Sequence, residues 1–216
     1  GVSGGVDSAL TSTLCAKTGL KTIAISMPIK QNINQHDLSI RHLRWLKENF
    51  SNVETFIIEL DSIFKSFESK LENFNDELAF ANSRSRLRMV TLYQVAQSNN
   101  GLVVGTGNKV EDFGVGFYTK YGDGGVDISP IADCTKSDVW DMAEKLGIIK
   151  DIVQADPTDG LWDDNRNDEN QLGLSYKQIE EAMINKNSEH YKKYYKIREP
   201  NLHKMKPIPV CVFPKK

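Results

Sequence analysis

The chain has 216 residues, of which 39% are hydrophobic and 26% charged, and its formal net charge at pH 7 is −2. These values are typical of a soluble globular protein and give no reason to expect nucleic acid as a partner. No apolar run approaches the ~20 residues of a membrane span, so no membrane association is expected. The cysteines Cys15, Cys134 and Cys211 lie far apart and make no metal-ligand spacing. Scattered cysteines of this kind are typical of the reducing cytoplasm, which is the predicted location.

Helices and strands alternate along the first two thirds of the chain. Helical spacing of apolar residues predicts helices at residues 7–17, 36–50, 61–71, 82–100 and 136–146. Apolar runs rich in β-branched residues predict strands at residues 21–29, 54–60 and 101–107. Asp61 and Thr135 are the expected caps of the helices that they begin or precede.

This alternation predicts βαβ units and therefore an α/β fold. The expected architecture is a Rossmann-like parallel sheet with helices on both faces, in a single domain that covers residues 1–216. A glycine-rich loop like the one at the start of the chain normally follows a strand, so we expect that an N-terminal strand is missing from the sequence. Ligands of such sheets bind beyond the carboxyl ends of the strands, where the glycine turns near Gly1 and Gly105 lie.

The last third of the chain has a different character. Residues 156–171, DPTDGLWDDNRNDENQ, are acidic and polar and too long for an ordinary connection. They form either a solvated surface loop or a mobile lid over an active site. Two polar helices are predicted at about residues 175–185 and 188–196, before a proline-rich tail.

The opening stretch GVSGGVDSAL, residues 1–10, is typical of a loop that binds an anion. Adjacent glycines let backbone N–H groups converge, and the following helix adds its positive N-terminal end. Asp7 would repel phosphate in such a loop. Either Asp7 holds Mg²⁺, which bridges to phosphate oxygens, or it only caps the helix.

Within that stretch, SGGVDS resembles the signature of the ATP pyrophosphatase (PP-loop) family, whose members cleave ATP to AMP and pyrophosphate. The stretch GTGNKVEDFGVGFYTKYGDGGVDISPIADCTK, residues 105–136, resembles the central block of NAD synthetase, which amidates deamido-NAD. SRLRM at residues 85–89 and HK at residues 203–204 are also similar to that family. The resemblance implies the adenine nucleotide alpha hydrolase-like version of the predicted fold.

The resemblance also implies a set of site residues. It assigns ATP binding to Gly1, Val2, Ser3, Gly4, Gly5, Val6, Asp7, Ser8, Thr106, Lys136 and Thr158. It assigns deamido-NAD binding to Arg86, Lys120, Asp127, His203 and Lys204. Asp7 and Glu111 are the implied Mg²⁺ ligands, and Asp7, Lys136 and Asp123 the implied catalytic residues, with Asp123 as the ammonium contact.

The implied reaction consumes ATP, deamido-NAD and ammonia and passes through an acyl adenylate. The chain offers no further region of the ~100 or more residues that a glutaminase requires, so free ammonia is the expected nitrogen donor. The family resemblance further implies a homodimer. Two alternatives remain open from the residues alone, namely another PP-loop amidotransferase such as a GMP synthetase core, and a non-catalytic nucleotide-binding module.

Several of these residues also have ordinary structural interpretations. Glu111 could be a surface charge, and Arg84, Arg86 and Arg88 could belong to one solvated helix face. The stretch KYGDGG could be a simple turn, with Asp123 bonded to its own backbone.

Overall fold

A computed structural model of the chain describes residues 1–31, 33–158 and 168–213. The α-helices are α1 (Val6–Lys17), α2 (Ile33–Asn49), α3 (Asp61–Lys70), α4 (Glu77–Ser98), α5 (Lys136–Lys145), α6 (Lys150–Val153), α7 (Asp168–Leu172), α8 (Tyr176–Ile184), α9 (Tyr191–Arg198) and α10 (Leu202–Met205). The strands are β1 (Thr22–Ser26) and β2 (Val53–Ile57), a π-helix spans Lys109–Val115, and 3₁₀ turns span Glu72–Phe74 and Glu199–Asn201. None of these helices combines the length and apolar character needed to cross a membrane.

The two strands pair in parallel, in a register that runs from Thr22 opposite Val53 to Ser26 opposite Ile57. The backbone N–H of Val2 donates to the carbonyl of Ile25 at 2.8 Å. Successive residues of a strand point to opposite edges, so the start of the chain lies along the edge of β1 that β2 leaves free. The glycine loop therefore emerges beside the carboxyl end of β1.

Helices cover both faces of this sheet. On one face, Ala24 packs in a cluster with Leu43 and Leu46 of α2. On the other face, Ile25 packs in a cluster with Phe64 of α3, and Leu92 of α4 lies against that cluster. Adjacent strand residues serve opposite faces because side chains alternate along a strand. The predicted α/β fold, a parallel sheet flanked by helices, is confirmed.

Two further clusters bring distant parts of the chain together at the glycine loop. Leu10 of α1 packs with Val139 of α5, so the N-terminal ends of these two helices lie near each other. Val110 of the π-helix packs with Ile179 of α8, in a cluster whose members are almost fully buried. The beginning of α1, the π-helix and the beginning of α5 thus converge.

The predicted strand at residues 101–107 is wrong. Only Val104 makes a strand-like contact there, a single parallel bridge to Ile128, and Leu102 is 65% exposed. The carbonyl of Val103 accepts the N–H groups of both Asp127 and Ile128, so within the described part of the chain residues 101–107 are bonded to this short stretch and to no longer strand. An apolar run of this length does not form a ladder without a neighbour that continues beside it.

The predicted cap at Asp61 is also wrong. Leu60 occupies the N-cap position of α3, and no side chain caps it. The Asp61 carboxylate instead accepts the backbone N–H of Lys30 at 2.7 Å and so fixes the loop after β1. Residues 159–167, the centre of the predicted lid, lie outside the described residues, and the choice between lid and surface loop stays a prediction.

Candidate active site

The glycine loop turns sharply into α1. Gly4 has a φ of +99°, and a Cβ at this position would lie 2.4 Å from the carbonyl oxygen of Gln35, so only glycine fits. The Ser8 hydroxyl accepts the N–H of Ser3 at 3.1 Å and donates to the carbonyl of Gly5 at 2.9 Å. Gly5 is the N-cap and supplies no side-chain cap, which leaves the positive end of α1 open to an anion.

Asp7 does not cap α1, so the alternative that it is only a helix cap is wrong. Its Oδ2 accepts a hydrogen bond from the ammonium of Lys136 at 2.6 Å, and its Oδ1 accepts one from the Asn108 side chain at 2.9 Å. The same ammonium donates to Oε1 of Glu111 at 2.8 Å. One lysine therefore lies between the two carboxylates that were predicted to share a metal ion.

Local structure places Lys136 at this point. Thr135 caps α5 in a capping box with Asp138, as predicted for Thr135, and Lys136 is the first helical residue. Its side chain is only 2% exposed. The ammonium lies 5.0 Å from the ring centroid of Tyr176 and 6.0 Å from that of Trp140, within range of cation–π attraction. Its two carboxylate partners compensate for a cation at the positive end of a helix.

The ionisation of this cluster follows from burial and pairing. Burial raises the pKa of Asp7, and neighbouring Glu111 adds to that increase. Burial alone would raise the pKa of Glu111, but Lys136 and the Tyr176 hydroxyl, which donates to Glu111 at 2.6 Å, together hold it below its usual value. Burial opposes the charge of Lys136, yet the two carboxylates raise its pKa. The lysine remains protonated at neutral pH.

A pocket with a volume of about 460 Å³ opens above this cluster. Among the residues predicted from sequence, its lining includes Gly1, Val2, Ser3, Gly5, Val6, Asp7, Ser8, Thr106, Glu111, Asp123, Lys136, Thr158 and Lys204. The predicted ATP and Mg²⁺ residues are thus brought to one cavity, apart from Gly4, which packs against α2. Their assignment to particular ligands stays a prediction.

Four of the predicted deamido-NAD residues lie outside this pocket. Arg86 lines a separate shallow hollow and donates to the carbonyl of Lys120 at 3.1 Å. Lys120 in turn donates to the carbonyl of His203 at 3.3 Å, so these three residues form a connected row. Asp127 accepts hydrogen bonds from the Tyr93 hydroxyl at 3.0 Å and from a backbone N–H at 2.7 Å.

Lys204 is the predicted deamido-NAD residue that does line the pocket. Its ammonium donates to the carbonyls of Gly116 and Tyr118, both at 2.8 Å. Burial lowers the pKa of Lys204. These bonds hold α10 against the loop that follows the π-helix.

Sequence reasoning missed several residues of the pocket. Arg88 of α4 lies half-buried in its wall and donates to the carbonyl of Met27 at 2.9 Å and to Gln31 at 3.3 Å. Burial lowers the pKa of Arg88 to about 10. Helical periodicity could have separated Arg88 from Arg86, since residues two apart point to different sides of a helix. The shared solvated face proposed for these arginines is wrong.

Asp112 and Tyr176 also belong to the site, although no sequence pattern singled them out. Burial and nearby carboxylates, Asp123 first among them, raise the pKa of Asp112 to about 8. Tyr176 is 1% exposed, and besides Glu111 its hydroxyl contacts Oδ2 of Asp168 at 3.0 Å. Tyr176 directly follows Ser175, which caps α8, and no spacing in the sequence connects it with Glu111.

Comparison with known proteins identifies the family. The model of the NAD synthase family matches residues 1–207. The chain belongs to the NAD synthase family. This membership confirms the predicted resemblance and excludes the reading as a GMP synthetase core.

Members of the NAD synthase family from several organisms are similar over most of this chain. The NH(3)-dependent NAD(+) synthetase of Carboxydothermus hydrogenoformans is 39% identical over 189 residues, which are 85% of this chain and 75% of that protein. The enzyme of the same name from Mesoplasma florum is 35% identical over 210 residues, 95% of this chain and 82% of that protein.

Two solved structures with similar folds differ in the product that their names give, NMN in one and NAD in the other. NMN synthetase from Francisella tularensis superimposes with a TM-score of 0.89 at 30% identity, over 98% of this chain and 87% of that chain. NH3-dependent NAD synthetase from Campylobacter jejuni has a TM-score of 0.76 at 26% identity, also over 98% and 87%.

Proposed function

We propose that this chain is an ammonia-dependent NAD synthetase, a ligase that uses ATP to amidate deamido-NAD to NAD and releases AMP and pyrophosphate. The observation that carries the proposal is one pocket, in a chain of the NAD synthase family, that joins the glycine loop, Lys136 between Asp7 and Glu111, and Asp123. A non-catalytic nucleotide-binding module would not require a second carboxylate on that lysine.

ATP binds with its phosphates at the glycine loop in this proposal. The open end of α1 and the Ser3 hydroxyl donate to phosphate oxygens, and the Ser8 hydroxyl does so by exchanging its bond to the Gly5 carbonyl. Lys136 supplies positive charge at the bond that breaks, and Thr106 and Thr158, which also line the pocket, contact the nucleotide. Positioning and charge stabilisation are the main contributions of the protein to this step.

The donor set at Asp7 and Glu111 fits Mg²⁺. Both carboxylates contact a single nitrogen, so their oxygens are close enough together to share one small cation. Among the residues that the structure describes, no group of three or more His, Cys, Asp or Glu side chains could hold a metal ion alone. Mg²⁺ commonly binds one or two carboxylates together with substrate phosphates and waters, so the ion would arrive with ATP. When bound, it offsets negative charge on the phosphates.

The reaction has two half-reactions. In the first, an oxygen of the pyridine carboxylate of deamido-NAD attacks the α-phosphorus of ATP, and the bond to pyrophosphate breaks. In the second, ammonia attacks the acyl carbon of the resulting acyl adenylate, loses a proton, and AMP leaves. Asp123 attracts ammonium and takes a proton from it, which provides the neutral nucleophile.

Deamido-NAD binds where the pocket meets Lys204 and extends towards the row formed by Arg86, Lys120 and His203. Asp127 holds this region together through its bonds to Tyr93 and the backbone. We further propose a homodimer, since exposed apolar residues of α4 such as Val90 and Tyr93 flank Arg86 in the shallow hollow. Sedimentation as a monomer at micromolar concentration would contradict the dimer.

The test of the function is a direct assay. The chain is incubated with ATP, Mg²⁺, ammonium and deamido-NAD, and AMP and NAD are quantified. We expect equal amounts of both products and none without ammonium. ATP cleavage without any amidated product would overturn the proposal.

The similarity to the NMN synthetase supports a second candidate substrate. That structure superimposes with a TM-score of 0.89, against 0.76 for the NAD synthetase from Campylobacter jejuni. The same chemistry would then amidate the deamidated form of NMN, a mononucleotide. Comparison of kcat/KM for the mononucleotide and for deamido-NAD decides between the two substrates.

We also propose a cytoplasmic location. Cys15, Cys134 and Cys211 are free thiols, which persist in a reducing compartment. Fractionation of cells that produce the protein tests this directly.

A further inference from the structure

Two side chains of α4 hold the loop that carries Asp123. Asn82 accepts the hydroxyl of Thr119 at 2.6 Å, and the hydroxyl of Ser85 donates to Oδ1 of Asp123 at 2.6 Å. Asn82 and Ser85 are three positions apart and therefore lie on the same face of the helix. One rigid element of 22 residues thus fixes both ends of the segment 119–123.

The contact between Ser85 and Asp123 is reciprocal. The Ser85 hydroxyl also accepts the backbone N–H of Asp123 at 3.0 Å, and the N–H of Thr119 donates to Oδ1 of Asp123 at 3.0 Å. A Cβ at position 122 would lie 2.3 Å from the Ser85 Oγ, so Gly122 permits this close approach. Both the backbone and the carboxylate of Asp123 are held by one hydroxyl.

The Ser85 hydroxyl and the backbone N–H of Thr119 donate to the same carboxylate oxygen. Asp123 lines the pocket, and both of these bonds reach its carboxylate through Oδ1. The two hydrogen bonds therefore orient the carboxylate at the wall of the pocket. A fixed orientation matters for an aspartate that accepts a proton from a ligand. It matters less for an aspartate that only closes a turn.

We propose that Ser85 is a positioning residue for amidation, which holds Asp123 ionised and oriented toward the ammonium that it binds. This inference rests on the proposed function and adds a residue to it. Ser85 also lines the pocket, and in this proposal it acts through Asp123.

The charge around Asp123 explains why the hydroxyl matters. Burial raises the pKa of Asp123, and the hydrogen bond from Ser85 lowers it. The other titratable or charged groups that act on Asp123 are Glu111 and Asp112 of the π-helix, Tyr118 of the following loop, Arg88 of α4 and Lys204 of α10. Removal of the Ser85 hydroxyl takes away a bond that lowers the pKa of Asp123, so the protonated form of Asp123 is favoured.

The experiment compares Ser85→Ala with Ser83→Ala, the same substitution two positions earlier on α4, a position that has no part in the proposed site. Amidation is measured as kcat/KM for ammonium, and the first half-reaction as exchange of pyrophosphate into ATP. Because a hydrogen bond to a charged group is lost, we expect Ser85→Ala to lower kcat/KM for ammonium by ~10-fold to 100-fold. Pyrophosphate exchange stays unchanged, and Ser83→Ala changes neither rate.

The pH profile gives a readout that a purely structural role would not move. Amidation requires ionised Asp123, so the acidic limb of kcat/KM for ammonium should shift to higher pH in Ser85→Ala. NMR titration of the Asp123 carboxyl carbon should show the same direction without reference to activity. If Ser85→Ala does not fold, Ser85→Cys keeps nearly the same volume with a weaker donor and supplies the same comparison.

Equal loss of pyrophosphate exchange and amidation, with no pH shift, would mean that Ser85 only stabilises the fold and would overturn the inference. Unchanged amidation in Ser85→Ala would do the same while leaving the proposed function intact. Absence of ammonium-dependent product from the unsubstituted chain would instead overturn the proposed function.

Discussion

The ammonium of Lys136 and a carboxylate oxygen of Asp7 lie 2.6 Å apart, although 129 positions separate the two residues in the chain. Lys136 is almost inaccessible to solvent and also contacts Glu111 at 2.8 Å. The lysine of such a cluster is costly to remove, because its loss leaves two carboxylates without their cation in a poorly solvated place. The same arrangement holds positive charge in the pocket that the glycine loop also lines.

Substitution of Lys136 by alanine should therefore affect both stability and catalysis. We expect a loss of ~3–5 kcal/mol in the free energy of unfolding, as is typical of a broken buried ion pair. We expect kcat to fall by ~10²–10³, as for the loss of one preorganised charge donor. Chemical denaturation and the amidation assay measure the two effects. Lys145→Ala, on the same helix with its side chain 77% exposed, is the control. A loss of tenfold or less in kcat would make Lys136 a structural residue only.

Asp7→Asn and Glu111→Gln should each weaken the response to Mg²⁺ while the fold survives. Each change removes one negative oxygen ligand but preserves shape, and the raised pKa of Asp7 makes a neutral side chain tolerable there. The apparent Mg²⁺ requirement should rise, as should the Mg²⁺ concentration needed for ATP to raise the melting temperature. Asp133→Asn, at a side chain that is 96% exposed, should change neither value. Unaltered Mg²⁺ dependence in both variants would contradict the metal assignment.

Asp123→Asn should separate the two half-reactions. The positioned proton acceptor is lost, so kcat/KM for ammonium should fall by ~10²–10⁴. Pyrophosphate exchange into ATP should be nearly unaffected, and higher pH should recover part of the loss by supplying free ammonia. Equal loss of both activities would place Asp123 in substrate binding or folding instead.

His42 predicts a loss of stability in acid. The ring is fully buried, stacks on Trp45 and contacts the Ser12 hydroxyl at 3.0 Å, and burial lowers its pKa to about 4. The unfolded chain protonates this histidine near pH 6.5, whereas the folded protein does not until about pH 4. The contribution of neutral His42 to the free energy of unfolding is thus complete above pH 6.5 and is lost as the pH falls towards 4. The integrated loss is ~3 kcal/mol.

Urea denaturation between pH 7.5 and 4.5 measures this loss. His42→Gln retains a hydrogen-bond donor but does not titrate, so its stability should depend less on pH than that of the unsubstituted chain. His203→Gln, at an exposed position, serves as the control. Identical pH dependence in all three proteins would show that other groups account for the acid sensitivity.

The sequence predicted those parts of the fold and site that depend on local patterns. The helix that starts beside Asp7, the cap at Thr135 and the two parallel strands follow from spacing, capping chemistry and β-branched runs. The predicted strand at residues 101–107 failed because a strand depends on its neighbour as much as on its own residues. The π-helix at Lys109–Val115 was missed because its short i→i+5 pattern leaves no periodic signal.

Local sequence patterns could not predict which residues far apart in the chain contact each other. The spacing separates Arg86 from Arg88 but does not show which guanidinium faces the pocket, since that depends on the elements that pack against α4. The bond between Ser85 and Asp123 likewise depends on a loop that returns to the helix 38 positions later.

The order in which the chain is made adds a constraint on how the site can assemble. Asp7 and Glu111 both leave the ribosome before Lys136, and Tyr176, the hydroxyl donor to Glu111, comes later still. Until the lysine arrives, the two carboxylates repel each other and remain hydrated, so the pocket floor stays open during synthesis. Domains usually fold from the N-terminal part onward as they emerge, but this centre is complete only after Tyr176 has been made. Its contacts should therefore form after the folding transition state and control the rate of unfolding more than the rate of folding.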